Sequence, residues 1–174
     1  MGSVQIGIVV AAVLLFWTIG AYNRLVRLRN TIVSSFAPVD EQFGLRHALL
    51  QEQLEAVAAL LSQAAQRLEA LRAASLQTDM ARAHARSHPG APGAIRSLRL
   101  ADEILTEARA RLPVPAIAGS EISEIQGRLA ASDSALAFAR AGFNAAVLDY
   151  NRAIRQIPTR AIAWLFGFAP AGTL

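Results

Sequence analysis

Apolar residues run almost without interruption from Val4 to Tyr22, with Gln5 and Thr18 the only clearly polar side chains among them. A helix of that length rises about 28 Å, enough to cross the hydrocarbon core of a bilayer. Residues 1–22 are therefore read as a transmembrane anchor. Trp17 and Tyr22 lie toward one end of the run, where amphipathic rings favour the lipid interface. A cleaved signal peptide would need a basic residue before the apolar run and small residues at a cleavage site after it. The chain has neither feature. Myristoylation at Gly2 would need Ser or Thr at position 6, where the chain has Ile6.

Beyond the anchor the spacing becomes helical. Leu25, Leu28, Ile32 and Phe36 carry the pattern to Pro38, which either kinks the first helix or reverses the chain. Phe43, His47, Leu50, Leu54, Val57, Leu61, Ala64, Leu68 and Leu71 then alternate by four and three, a heptad seam broken mainly by one His. Glu52, Glu55, Gln63, Gln66 and Glu69 fall on the opposite, solvent face. The breaker cluster from Ser87 to Gly93 predicts a loop. A shorter helix is expected from Ala94 to Leu112, with Ile95, Leu98, Ile104 and Leu105 apolar and Pro113 and Pro115 ending it. Ser120 is the expected N-cap of a last long helix. Its seam is Ile122, Ile125, Leu129, Ser132, Leu136, Ala139, Phe143, Ala146, Tyr150, Ile154 and Ile157, closed by Pro158.

The pattern thus predicts an all-α protein: an N-terminal transmembrane helix, a long antiparallel helical bundle of three to four helices over residues 23–158, and an aromatic C-terminal tail over residues 159–174. Pro38 decides the parity. A reversal there gives four passes and brings the tail back to the bilayer, whereas a kink leaves three and strands the tail at the far end.

Composition sharpens the picture in three ways. Apolar residues make up 53% of the chain and aromatics only 6%, with Ala supplying much of the difference, which favours close-packed helices over sheets. Cys is absent, which excludes disulfides and thiolate metal sites. The net charge is +4, Lys is absent, and no charged side chain occurs before Arg24, after which Arg27 and Arg29 follow at once. That asymmetry predicts a single-pass protein with its domain in the cytoplasm. The remaining Arg residues are interspersed with Glu and Asp and are not gathered with stacking aromatics, so nucleic acid is not an expected partner.

One short pattern occurs three times: Tyr22-Asn23-x-x-Val26, Phe143-Asn144-x-x-Val147 and Tyr150-Asn151-x-x-Ile154, the last two one heptad apart. An aromatic ring and a branched residue four apart share a helix face. The adjacent Asn is a poor helix former and wants a partner, such as a carbonyl or hydroxyl on a neighbouring helix. The alternative is a packed aromatic beside a solvated Asn. Tyr22, Asn23, Arg24, Phe143, Asn144, Tyr150 and Asn151 are therefore candidates for an interhelical or partner-binding role. Trp17, Arg27, Arg29, Arg155, Arg160, Trp164, Phe166 and Phe168 form a second candidate set, suited to the membrane interface.

At these residues the chain resembles the LemA family of bacterial membrane-anchored helical proteins. The stretch Tyr22-Asn23-Arg24-Leu25-Val26-Arg27-Leu28-Arg29-Asn30 is similar to that family's signature after the anchor. So is the end, where Phe143-Asn144 and Tyr150-Asn151 lead through Ile157-Pro158 to Phe166-Gly167-Phe168. Arg46-His47-Ala48-Leu49-Leu50 resembles a third marked stretch. There the family follows the His with Asp and then a Pro-Asn pair, and this chain has Ala48, Gln51 and Glu52. The middle, roughly Ser75 to Ser120, shows little likeness, and Ala169-Pro170-Ala171-Gly172 replaces the usual aromatic ending. The resemblance implies an anchor, a long antiparallel bundle and no known catalytic activity. It also implies an association with bacterial membranes.

Candidate chemistry is sparse. His84 and His88, four apart, share the spacing of paired imidazole ligands, but Asp79 lies off that face and Pro89 frays the helix end, where the dipole favours His without any ligand. His47 is expected as a hydrogen-bonded interhelical residue. Asp102, Glu103 and Glu107 are expected to form surface ion pairs with Arg99 and Arg111. There is no nucleophile elbow, phosphate-binding Gly loop or Glu-x-x-His pair. The expectation is a noncatalytic, membrane-anchored scaffold or adaptor of the LemA type in the bacterial inner (cytoplasmic) membrane, with no catalytic residue, cofactor or metal. Its expected partners are the lipid bilayer, other membrane or envelope proteins, and further copies of itself. The alternatives are a lipid-interacting protein that organises the membrane, or a hydrolase using His47, His84 or His88.

Overall fold

The computed structural model describes residues 2–58, 65–112 and 120–174. These form five helices: α1 (Ser3–Ala58), α2 (Ala65–Ser87), α3 (Pro92–Ala110), α4 (Ser120–Arg155) and α5 (Thr159–Leu165). The described residues contain no strand, and the fold is a helical bundle led by a long apolar helix.

α1 is a single helix of 56 residues, and Pro38 lies inside it. Pro38 therefore does not reverse the chain. An interior Pro removes one helical hydrogen bond and crowds the carbonyl four residues earlier, at a cost of about 3 kcal/mol. Pro38 and Ser34, whose carbonyl loses its usual partner, both lie on the exposed face. On the inner face Ile32, Phe36, Val39 and Phe43 are buried around Pro38, so packing outweighs the local loss.

α2 instead runs antiparallel to α1. Arg82 reaches Asp40, and Ser75 reaches both His47 and Gln51, so the two helices count in opposite directions. The seam expected to run straight on from Phe43 to Leu71 is thus divided between two helices that face each other. Leu50, Leu54 and Val57 from α1 are buried in one cluster with Leu68 and Leu71 from α2. Leu61 and Ala64 of that seam, Gln63 of the opposite face, and Pro113 and Pro115 lie outside the described residues.

α3 runs back beside α2, where Thr78 donates to the Ala101 carbonyl. α4 returns along the bundled part of α1, with Glu52 paired to Arg128 at one end and Phe36 stacked edge-on against Phe143 further along. The four long helices therefore make four passes, and the end of α4 comes home beside the start of the bundle. Ile104 and Ile157, expected inside, are exposed, Ile157 at 86%. Ile157 lies just past α4, where the seam has no further turn to face.

α3 and α4 meet mainly through charge. Asp102, expected on the surface, is buried and paired with Arg46 from α1 and Arg140 from α4. Arg46 is buried as well, with its Nε 3.0 Å from Asp133, which Arg109 also reaches. Arg140 lies over the Phe43 ring. Arg99–Glu103 and Arg111–Glu107 are the exposed pairs that the spacing predicts.

Losing one partner of a buried ion pair leaves an uncompensated charge inside. Asp102→Ala should therefore destabilise the detergent-solubilised protein by about 3 kcal/mol, whereas Arg99→Ala should change stability by less than about 0.5 kcal/mol. Chemical denaturation followed by circular dichroism measures both, and equal effects would contradict the buried cluster.

Candidate functional site

The bundle's first turns hold the candidate residues, and three elements build the site there. The exposed apolar part of α1 enters the bundle at Ala21 and Leu25, which are buried. α4 arrives beside it with Phe143, Val147, Tyr150, Ala153 and Ile154 in the same core cluster. α5 then packs across both, burying Ile162 and Ala163 and leaving Trp164 84% exposed.

After α5, Gly167 adopts φ +70, a left-handed conformation that a side chain would strain, and the chain turns back along α4. Phe166 and Phe168 close on Tyr22, with ring centroids 4.9 and 5.8 Å away. Tyr22 thus meets the tail and is only partly covered, while Asn23 and Arg24 beside it are exposed.

Residues 168–174 form a strap held by the two Asn residues of α4. The Asn151 carboxamide donates to the Ala171 carbonyl and accepts from the Ala171 amide, both at 2.9 Å. Asn144 makes the same reciprocal pair with Leu174, both at 2.8 Å. Tyr150 adds a third bond, its hydroxyl donating to the Ala169 carbonyl at 2.9 Å. The partner sought by these Asn side chains is thus backbone, as anticipated for a buried amide, but it belongs to the tail and not to a neighbouring helix. Each carboxamide does for the strap what a neighbouring strand would do.

The spacing explains why two Asn residues one heptad apart can act together. Seven helical residues advance about 10.5 Å, and three extended residues advance about 9 to 10 Å. Asn144 and Asn151 therefore meet Leu174 and Ala171 in register, with the strap antiparallel to α4. Across the strap stands the start of α3. A Cβ on Gly172 would fall 2.8 Å from the Pro92 Cα and 3.4 Å from the Ile95 Cβ, so this position admits no side chain without a shift. The strap thus fills the seam between α3 and α4 on the side of the buried ion cluster nearer the apolar end of α1. A cleft of about 420 Å³ runs beside it, bordered by Arg29, Ile32, His88, Tyr150 and Phe168.

Burial pushes the Tyr150 phenol above its usual value, and nearby Arg29 opposes this. The remaining candidates are peripheral. Arg27, Arg29, Arg155, Arg160 and Trp164 are exposed around the point where α1 leaves the bundle, and Trp17 lies on the projecting segment. His84 and His88 have ring centroids 5.2 Å apart, and among the described residues no group of three or more His, Asp or Glu that could hold a metal is found. His47 Nδ1 lies 2.9 Å from Ser75 Oγ, between α1 and α2. The strap residues Ala169, Ala171, Gly172 and Leu174 are not among the candidates that the sequence marks. Gly172 carries the one signal that could have marked them, a Gly in a short run with no helical period.

The family model described as LemA family matches residues 35–174. The chain belongs to the LemA family. No curated protein matches it.

Tyr150→Ala should destabilise the protein by about 3 kcal/mol through lost packing, and Tyr150→Phe by about 1 kcal/mol through loss of the bond to Ala169. Because the folded protein holds the phenol protonated, the stability it adds is present below the ordinary tyrosine pKa, about 10. That contribution is lost as pH rises above this value. Thermal unfolding from pH 9 to 11 should show wild type losing its margin over Tyr150→Phe. A margin that stays constant across that range would remove the buried hydroxyl from the account.

Proposed function

We propose that this LemA-family protein is a noncatalytic membrane scaffold whose bundle presents a surface to other envelope proteins. The observation that carries the proposal is the continuity of α1. Its apolar end has a mean hydropathy of 2.2 over a window only 6% buried, and the same helix, without a break, becomes the central strut of the bundle. A bundle joined to its anchor by rigid helix is held at a set height and orientation, which suits a scaffold better than a tethered catalyst. Several polar groups inside the bundle also fit this reading: buried Arg46 and Asp102 and half-buried Arg140, Asn144 and Asn151 are engaged with one another or with backbone. Their chemistry is that of assembly. The domain lies in the cytoplasm by the positive-inside argument, with Arg24, Arg27 and Arg29 following the anchor.

A second reading has its own observation. Ile157, Trp164, Leu165 and Phe166 are all exposed beside the exit of the anchor, together with Arg155 and Arg160. Apolar and basic residues gathered at that level suit insertion among lipid headgroups, where each Arg contributes about 1 kcal/mol against an anionic surface. In that case the protein acts on the membrane itself.

Three measurements decide between these readings. A Ser87→Cys variant should resist an impermeant thiol reagent in intact spheroplasts and react after lysis; labelling before lysis would put the domain on the other side. In a Trp17→Phe background, Trp164 fluorescence should be quenched by lipids brominated near the headgroup. Quenching by aqueous iodide alone would leave α5 in water and remove the second reading. Purification of the crosslinked protein from detergent extract should bring down a defined set of envelope proteins, and recovery of lipid alone would overturn the scaffold.

A further inference from the structure

The strap is recognised without reference to the chain it belongs to. Asn144 and Asn151 read backbone N–H and C=O groups, Tyr150 reads a carbonyl, and the wall formed by Pro92 and Ile95 excludes any side chain at the position of Gly172. Nothing in these contacts depends on residues 168–174 being covalently joined to the bundle that holds them. Any extended segment fits if it places a Gly immediately after the residue clamped by Asn151 and two residues before the one clamped by Asn144. Phe168-Ala-Pro-Ala-Gly-Thr-Leu174 meets that description, and every copy of the chain carries it.

We infer that the groove between α3 and α4 is an exchange site, in which residues 168–174 of a second copy of this chain replace the strap. Three further observations support a trans occupant. Gly167, at φ +70, separates the strap from α5, so the strap can swing out while α5 stays packed on α1 and α4. Every one of residues 168–174 is at least partly exposed, while Phe168, Ala171 and Leu174 cover the core cluster, so a vacated groove offers apolar surface that an identical strap covers equally well. The lower end of the strap lies at the level of Tyr22, close to where the projecting helix leaves the bundle. Copies anchored in one membrane would present straps and grooves at the same height, which raises their effective concentration. This last point rests on the membrane reading; the recognition itself does not. Exchange of an identical element requires no new contact chemistry, which makes it a low-cost route to association.

Complementation in detergent tests the inference. A donor chain carries Asn144→Ala and Asn151→Ala, leaving its strap intact but its groove unable to clamp. An acceptor chain lacks residues 168–174, leaving its groove empty. A second acceptor, full length with Gly172→Val, keeps its strap but cannot seat it. Differently tagged donor and acceptor should co-purify, donor with donor and acceptor with acceptor should not, and Gly172→Val in the donor should abolish capture. The synthetic peptide Phe168–Leu174 should compete the donor away. If the peptide raises the thermal stability of either acceptor while neither captures the donor, the groove serves only its own chain and the inference fails. Retention of an unrelated protein, displaced by the peptide, with no donor captured would assign the groove to another partner and also overturn it. Unfolding of both acceptors would do the same, since a groove that exists only around its own strap cannot receive another. Because the assay is run in detergent with copies of one chain, its failure leaves the scaffold reading to its own crosslinking result.

Discussion

The unbroken passage of α1 through Pro38 is the constraint on which the rest of the structure depends. One helix covers the distance from the apolar end at Ser3 to the far end of the bundle at Ala58. Every other element is measured against that strut. α4 lies along it with Phe143 against Phe36 and Arg128 against Glu52, and so must end near the point where α1 becomes exposed. Had the helix turned back at Pro38, α4 would have had half the surface to pack on. The local cost of an interior Pro is about 3 kcal/mol. It is offset because the prolyl ring faces solvent, while Ile32, Phe36, Val39 and Phe43 on the inner face each exchange water for core.

With α1 central, the seams of the bundle are unequal. The α1/α4 seam is filled largely by aliphatic and aromatic side chains, and the α1/α2 seam combines buried Leu and Val with the contacts of Ser75 to His47 and of Arg82 to Asp40. The α3/α4 seam is crossed instead by Arg46, Asp102, Arg140, Asp133 and Arg109, and nearer the anchor by the strap. Both solutions join helices that do not interdigitate closely, one by charge and one by inserted backbone. A seam closed by hydrogen bonds to a detachable segment is easier to open than one closed by buried Leu and Phe. This difference is the physical basis of the strap exchange proposed above, and it gives the motif Tyr150-Asn151 the task of holding the strap.

Much of this was legible in the sequence. The apolar run from Val4 to Tyr22, the Ser87–Gly93 loop and the last seam through Leu129, Phe143 and Tyr150 follow directly from periodicity, because burial on one helix face imposes it. The boundary between α1 and α2 was not legible. Residues 59–64 contain no Gly or Pro, and the four-three alternation continues from Val57 to Leu68 as if the helix did. The reversal of direction from α1 to α2 leaves no trace in the pattern, since Val57 and Leu68 keep their faces toward the same core. At Pro38 the local signal left a kink or a reversal open, and packing keeps the helix running through it. Asp102 looked like a surface acid because spacing along one helix cannot reveal what the other helices bring to it. Of the three Asn residues in the repeated motif, Asn144 and Asn151 hold backbone, whereas Asn23 is exposed, the solvated alternative that the sequence left open. The partner of the first two could not be named, because an extended strap has no periodicity to announce it.

The central claim is that α4 returns antiparallel along a single continuous α1. Disulfide trapping tests it directly, since the chain has no native Cys. Leu25 and Ile154 lie in one core cluster near the apolar end of α1, and Val57 and Ile125 lie in the other at the far end. Cysteine pairs at 25 with 154 and at 57 with 125 should both cross-link in the membrane-reconstituted protein. A cross-link between 25 and 125, with none between 25 and 154, would mean that α4 runs the other way and would contradict the account.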